Sequence, residues 1–357
     1  MSRARELADL GGSADAGGLT GRNLIINGAL TVDQRNGGSS VTPTADQTYV
    51  LDRFGAGLSV ASKFSLEQTT TVPAGFENSM KATVVSAYTP GSAEWFGFFH
   101  KVEGLNASHL DFGTSDAKTL TLSFWVRSSV TGDYGFSLAN SAQNRAYPVL
   151  YNISAADTWE HKTITIAGDT SGTWLTTNGI GLNLLWSLGA GSSYLQTANA
   201  WGTGLGLGTT GQTNWISNAA ATFYITGVQL EVGQTATPFE HRSFGDELAR
   251  CLRYYEEWGG EDAYQPFGYF EAASSDLGYL VLHFSEKRDG PTVTVSNASH
   301  FHTTRSAIVP TSFSFSQPAT THVFCTIAKV GGFASGQIYS WRANNSTAAR
   351  IYFNAEL

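Results

Sequence analysis

Thr222-Phe223-Tyr224-Ile225-Thr226-Gly227-Val228-Gln229-Leu230 repeats polar and apolar side chains with a period near two, the spacing of a β-strand with two unlike faces. Upstream, Lys162-Thr163-Ile164-Thr165-Ile166 alternates in the same way, and Leu120-Thr121-Leu122-Ser123-Phe124-Trp125-Val126 is apolar enough on both faces for a central strand, which assigns Trp125 to the core. Turn signals punctuate these runs at Asn36-Gly37-Gly38, Thr131-Gly132-Asp133, Gly168-Asp169 and Asn178-Gly179. Many short strands separated by such turns predict a two-sheet β-sandwich of jelly-roll type over residues 23–242.

Beyond Ser243 the period changes. Phe244, Leu248, Cys251, Leu252 and Tyr255 recur as one face of an α-helix, with Ser243 as N-cap, Asp246 and Glu247 in the first turn, and Gly259-Gly260 as the stop. One amphipathic helix is therefore expected over 243–260, linking the sandwich to a smaller C-terminal β domain over 261–357. The strands of that domain are read at 278–284, 292–295, 311–315, 323–327 and 350–353. Residues 1–22 open with a short helical pattern and dissolve into Gly, Ser and Ala. They read as a tether in which Arg3, Arg5, Leu7 and Leu10 dock on another protein, because so short a helix gains stability only by docking. The expected fold is mainly β.

Composition narrows the function. Of 357 residues 14% are charged, 39 are glycine, and the formal net charge is −8, which repels a phosphate backbone and argues against nucleic-acid binding. No stretch approaches the roughly 20 apolar residues of a membrane-spanning helix, so no membrane insertion is expected. Residues 1–20 lack a signal-peptide core, which points to a chain made and kept in a cytoplasm. Cys251 and Cys325 have neither CxxC spacing nor a partner cluster and read as buried free thiols.

Nine tryptophans and fourteen tyrosines suggest sugar binding, since an exposed ring stacks on the C–H face of a sugar. The Gly-, Ser- and Asn-rich stretch 182–216 holds the first candidates, Trp186, Tyr194, Trp201 and Trp215. The second group lies in the C-terminal domain: His300, His302 and Arg305 in one loop, and Trp341, Arg342 and Asn344 in another. His300 and His302 have the alternate spacing of a strand-borne metal pair, but no neighbouring Cys or carboxylate supports it, and no metal or cofactor is expected. Glycan hydrolysis would need two carboxylates across the scissile bond. Asp133, Glu160, Glu231 and Glu240 show no such spacing, no nucleophile or phosphate-loop motif is present, and no catalytic residue is assigned. Phe244, Leu248, Leu252 and Tyr255 are candidates for a helix face shared between subunits, since one apolar stripe and few charges give more apolar surface than one subunit needs to bury.

Asn23-Leu24-Ile25-Ile26-Asn27-Gly28-Ala29-Leu30, then Gln34-Arg35, then Tyr49-Val50-Leu51-Asp52-Arg53-Phe54, resemble the opening of bacteriophage tail and fibre proteins, which read NLxINGxxxxxQR followed by YxxDR. The likeness continues through SFWVRSS, TWEHKTITIAGDTSGTW and YITGVQLEVGQTATPFEHRSFGDELARCLRYYE. In Ser285-Glu286-Lys287-Arg288-Asp289-Gly290-Pro291-Thr292 the chain departs from the pattern, with Glu286 and Lys287 where small or apolar residues are usual. The resemblance implies a virion fibre protein, assembled in the host bacterial cytoplasm. It further implies a carbohydrate-binding-module-like jelly roll, a homotrimer, attachment to other virion proteins (tail, portal-proximal or capsid) through the N-terminus, and adhesion to a host surface glycan or protein. A decoration or joining subunit without a receptor site is the alternative.

Overall fold

The computed structural model describes residues 21–303 and 307–357. The attachment candidates Arg3, Arg5, Leu7 and Leu10, and the loop residue Arg305, lie outside them. The chain is mainly β and divides into two compact units after Glu247.

The first unit is the sandwich. Strands β1 (Thr48–Leu51), β2 (Phe54–Leu58), β5 (Trp95–Glu103), β10 (Ile180–Ala190), β7 (Gly132–Ala139), β8 (Arg145–Ile153) and β11 (Gly202–Thr203) form one sheet in that order. The other sheet runs β3 (Phe64–Thr69), β4 (Ser79–Val84), β12 (Thr222–Val232), β6 (Leu120–Ser128) and β9 (Glu160–Ile166). The pairings within each sheet are antiparallel, and the chain passes repeatedly from one sheet to the other, as a jelly roll requires. Phe96, Phe98, Phe136, Leu184 and Trp186 from the first sheet meet Phe64, Leu122, Phe124, Phe223 and Ile225 from the second in one core. Trp125 is a correction. Leu122, Phe124 and Val126 take the inward positions of β6, so Trp125 points the other way and lies half-buried beside His161, with ring centroids 5.2 Å apart.

The strand with which the reading began is buried on both faces. Its register against β6 shifts between Thr226 and Gln229, around Gly227 at φ +61°, so the polar side chains change face. Beyond that bulge the N-terminal segment runs alongside it: Leu24 N–H donates to Leu230 O (2.9 Å) and Val228 N–H to Gly28 O (2.9 Å). A Cβ on Gly28 would stand 2.2 Å from Val228 O, so this approach requires glycine. Glu240 then accepts from the amides of Gly21 and Asn23, while Arg242 donates to Asn23 O and Ile25 O.

Asn27 closes this lock. It is fully buried with φ +62°; its amide donates to Val32 O (2.8 Å) and Asp52 O (2.9 Å), its Oδ1 accepts from Val32 N–H (3.0 Å), and its own N–H reaches Glu247 (2.6 Å). Both Asp52 carboxylate oxygens accept from Gln34, and the Arg35 guanidinium lies over the Tyr49 ring. The motif residues of the first 54 positions thus bind one another.

Helix α1 (Gly104–Ala107) is one turn. Helix α2 (Phe244–Leu252) is capped at Ser243, whose Oγ accepts from Asp246 N–H (3.2 Å). It ends earlier than its periodicity predicts, because residues 255–259 pair as a strand with the chain's last strand. Tyr255 is accordingly a buried strand residue and not part of a helix face; Leu248 and Leu252 are half-buried and Phe244 is 61% exposed.

In the second unit β13 (Tyr255–Gly259), β21 (Arg350–Asn354) and β16 (Thr292–Val295) form a three-stranded sheet. A six-stranded sheet runs β17 (Phe301–Thr303), β20 (Ile338–Ala343), β14 (Pro266–Ala272), β15 (Leu277–His283), β19 (His322–Ala328) and β18 (Ser312–Ser316). Phe270, Leu282, Phe301, Val323, Trp341 and Phe353 build its core. Lys287, where the fibre pattern has a small or apolar residue, is fully buried: its ammonium donates to Leu252 O at the end of α2 (2.7 Å), to Ser285 O (2.9 Å) and to the Glu256 carboxylate (2.6 Å).

Two stability outcomes follow. Asn27→Ala removes three buried hydrogen bonds while keeping the left-handed backbone, and is expected to cost about 3–5 kcal/mol in urea unfolding, with Asn27→Gly costing less because glycine relieves the backbone term. Lys287→Met leaves Glu256 without its cation and is expected to cost about 3–5 kcal/mol, whereas the double change to Lys287→Met with Glu256→Gln recovers much of that loss.

Candidate functional site

The sandwich is open between β8 and β9. β9 is the edge of its sheet, and β8 is covered on its outer side by β11 at Arg145 and Ala146 alone, so residues 147–153 face an unpaired edge. Between them lies a groove of 410 Å³, within the about 300–1,000 Å³ of small-molecule sites. Its apolar floor is Val149, Tyr151 and Ile164; its rim is Asn152, Ser154, Glu160, Lys162, Thr163, Thr165 and Asn199.

Glu160 and Lys162 share the strand face of the buried Ile164 and Ile166, so an ion pair occupies the inward side of an edge strand. Their separation is 2.5 Å, and Glu160 Oε1 also accepts from the amides of Ser154 and Ala155 and from Ser154 Oγ. Burial pushes the Glu160 carboxyl up, but the bonds from Lys162, Ala155 and Ser154 outweigh it and hold the group at about 2. It stays ionised at neutral pH and cannot serve as a general acid there. Tyr151 Oη is buried without a hydrogen-bond partner among the described residues, and burial first, then neighbouring Tyr134, push the phenol well up, so it remains a neutral donor.

A cluster of aromatic rings lies past Asn199, beside the groove and outside its lining residues. The segment after the groove residue Asn199, whose N–H donates to Pro148 O (2.9 Å), carries Trp201 across the gap: its Nε1–H donates to Ala167 O beyond β9 (2.8 Å), and its ring lies 5.2 Å from Tyr147 on β8. Trp174 meets Trp201 edge-on at 5.4 Å, and Phe112 meets Trp174 at 4.9 Å. Asp169, 1% exposed, holds the group together, accepting both nitrogens of Arg145 (2.9 and 2.5 Å) and Trp174 Nε1–H (3.3 Å). Both indole N–H groups are thus tied inward while the rings stay half-exposed. A second cleft of 150 Å³ adjoins Trp174 and Phe112, lined further by Leu110, Asp111, Thr114 and Thr176.

Of the sequence candidates, Trp201 lies in the aromatic cluster beside the groove and is not one of its lining residues. Trp186 and Trp215 are core residues with no exposed surface, Trp186 stacked on Phe98 at 5.2 Å. Tyr194 is half-exposed on the outer face of the seven-stranded sheet, against a small cluster with Phe99 and Leu207. In the second unit Trp341 is fully buried against Phe313. His300 and His302 do not form a pair. His300 Nδ1 bonds Ser296 Oγ (3.0 Å), while buried His302 Nε2 accepts from Arg342 Nε–H (2.7 Å), and burial, then Arg342, push its imidazole down. Asn344 is spent on Ser299 O (3.1 Å). Among the described residues no group of three or more His, Cys, Asp or Glu converges as a metal site. Glu231 and Glu240 serve the N-terminal lock.

Sequence reasoning missed Trp174, Arg145, Asp169 and the Glu160–Lys162 pair. The last left a readable signal: two charges on the apolar parity of a strand mark an edge kept from pairing.

No protein-family model and no curated protein matches the chain. Several solved structures align with part of the chain. The enzymatically active domain of tailspike protein 4 of bacteriophage CBA120 aligns at 10% identity and a TM-score of 0.31, over 54% of this chain and 21% of that one, about a fifth of its length. The CBM22-1 xylan-binding domain of Paenibacillus barcinonensis Xyn10C aligns at 11% identity and 0.28, over 56% and 99%. A family 11 carbohydrate-binding module of a Clostridium thermocellum cellulase aligns at 14% identity and 0.28, over 56% and 99%.

Because the Glu160 carboxyl is held below its ordinary 4.5, its contribution to stability is complete above about pH 4.5 and is lost as pH falls toward 2. Glu160→Gln should therefore melt at a lower temperature than the parent at pH 7, and the two curves should converge near pH 2, as followed by circular dichroism.

Proposed function

We propose that the chain is a non-enzymatic adhesion subunit of a bacteriophage fibre that binds a neutral glycan at the open β8–β9 edge. The observation that carries this reading is a cluster of two partly exposed, inwardly anchored indoles, Trp174 and Trp201, lying beside a groove rimmed by hydroxyl and amide groups, with Trp174 lining the adjoining smaller cleft. Sugars present apolar C–H faces and polar rims, and such a site offers a partner for each. Arg145 and Lys162 each carry their own counter-ion, which favours an uncharged saccharide over an acidic one.

The virion assignment rests on the resemblance of residues 23–54 and 224–256 to phage fibre proteins. Attachment is assigned to residues 1–22 by the same resemblance. A homotrimer is supported by apolar surface on the outer face of the six-stranded sheet, where Tyr269 is 74% exposed, Ile338 65% and Val281 46%.

The test is binding of the fluorescently labelled chain to host cells and to the purified surface polysaccharide, with light scattering for the oligomeric state. Saturable binding that is lost in Trp174→Ala and Trp201→Ala, both with parental circular dichroism, supports the reading. Binding that survives both variants removes the site. A trimer that ignores cells and polysaccharide overturns adhesion in favour of a joining protein, and a monomer overturns the fibre assembly.

A further inference from the structure

The antiparallel pairing of β15 with β19 sets His283 directly opposite His322. Leu282, Phe284 and Val323 are buried on the inner side, so both imidazoles stand exposed on the outer face of the sheet. Their ring centroids are 5.8 Å apart with planes inclined by 43°. Among the described residues neither ring has an ion-pair partner, and Nδ1 of His322 lies 3.3 Å from Thr321 Oγ1. The hydroxyl can donate to or accept from Nδ1, so the contact is compatible with the tautomer that carries its hydrogen on Nδ1 and leaves Nε2 as a lone pair, the arrangement in which metal-bound histidines are held by an outer hydrogen bond.

We propose that His283 and His322 form a two-histidine chelate for a borderline divalent transition-metal ion such as Cu²⁺, Ni²⁺ or Zn²⁺. Directly opposed residues of an antiparallel pair have Cβ atoms about 4.5–5.5 Å apart, a separation that two imidazoles can span with one ion between their tips. Metal–nitrogen bonds of about 2.0–2.1 Å at a near-tetrahedral angle bring the ring centroids to about 5 Å, so a small rotation of both side chains closes the site. Imidazole nitrogen selects these ions over Ca²⁺ and Mg²⁺, which prefer oxygen. Two protein ligands leave the remaining positions to water or to a donor group on another molecule. The site does not depend on the glycan groove, but it shares the outer sheet face with Val281, so it requires that His283 and His322 lie outside any subunit contact made there.

Isothermal titration of the full chain with NiCl₂ and with CuCl₂, in a buffer free of chelators, tests this. One ion per chain should bind, and His283→Ala and His322→Ala should each abolish the saturable heat without moving the melting temperature, while His300→Ala leaves it intact. Electron paramagnetic resonance of the Cu²⁺ form should show coupling to two nitrogens, a signal lost in either single variant. No saturable binding by the parent chain, or binding retained by the double variant His283→Ala with His322→Ala, overturns the proposal.

Discussion

The buried left-handed turn at Asn27 is the constraint on which the sandwich depends. A non-glycine residue at positive φ is costly, and a buried amide is costlier unless every polar atom is met. Asn27 resolves both demands at once: its side chain bonds Val32 at both atoms and the carbonyl of Asp52, while its backbone N–H is taken by Glu247. Asp52 in turn orders Gln34, and Arg53, also at positive φ, extends its guanidinium to Lys101 O on β5. The N-terminal strand partner of β12, the first hairpin and the entry to α2 are therefore tied to one turn.

This explains where the fibre-like motifs lie. Asn23, Asn27, Gln34, Asp52, Gln229, Glu231, Glu240 and Arg242 bond to one another or to the backbone of the lock, and none of them lines the groove. Such residues are demanding because each sits in a buried polar network that fails if one member is lost. The motif is a signature of architecture, and the proposed recognition surface is carried by residues 145–201.

The groove itself comes from the way a sandwich ends. An unpaired edge strand invites association with another chain, and inward-facing charge is one way to prevent it. Glu160 and Lys162 do this on β9, and their bulk and polarity hold the two sheets apart where a pair of leucines would have closed the core. Trp201 then spans the gap, taking the Ala167 carbonyl that no further strand meets. Protection of an edge and presentation of polar groups to a ligand are two consequences of one arrangement.

The sequence by itself determined the mainly β class, the sandwich with its helix and second β unit, and the capped start of α2, because these follow from local periodicity and turn chemistry. It did not determine the end of α2, where pairing of residues 255–259 with a strand almost a hundred residues later overrides helical periodicity. Nor did it distinguish Trp186, Trp215 and Trp341, which fill cores, from Trp174, which is held at the surface by Asp169. An indole is equally suited to core and to surface, and which it becomes depends on strand parity and sheet order. For the same reason His300 and His302, two apart in sequence, face different partners, while His283 and His322, far apart in sequence, meet across a strand pair. Only the tertiary structure sets that register.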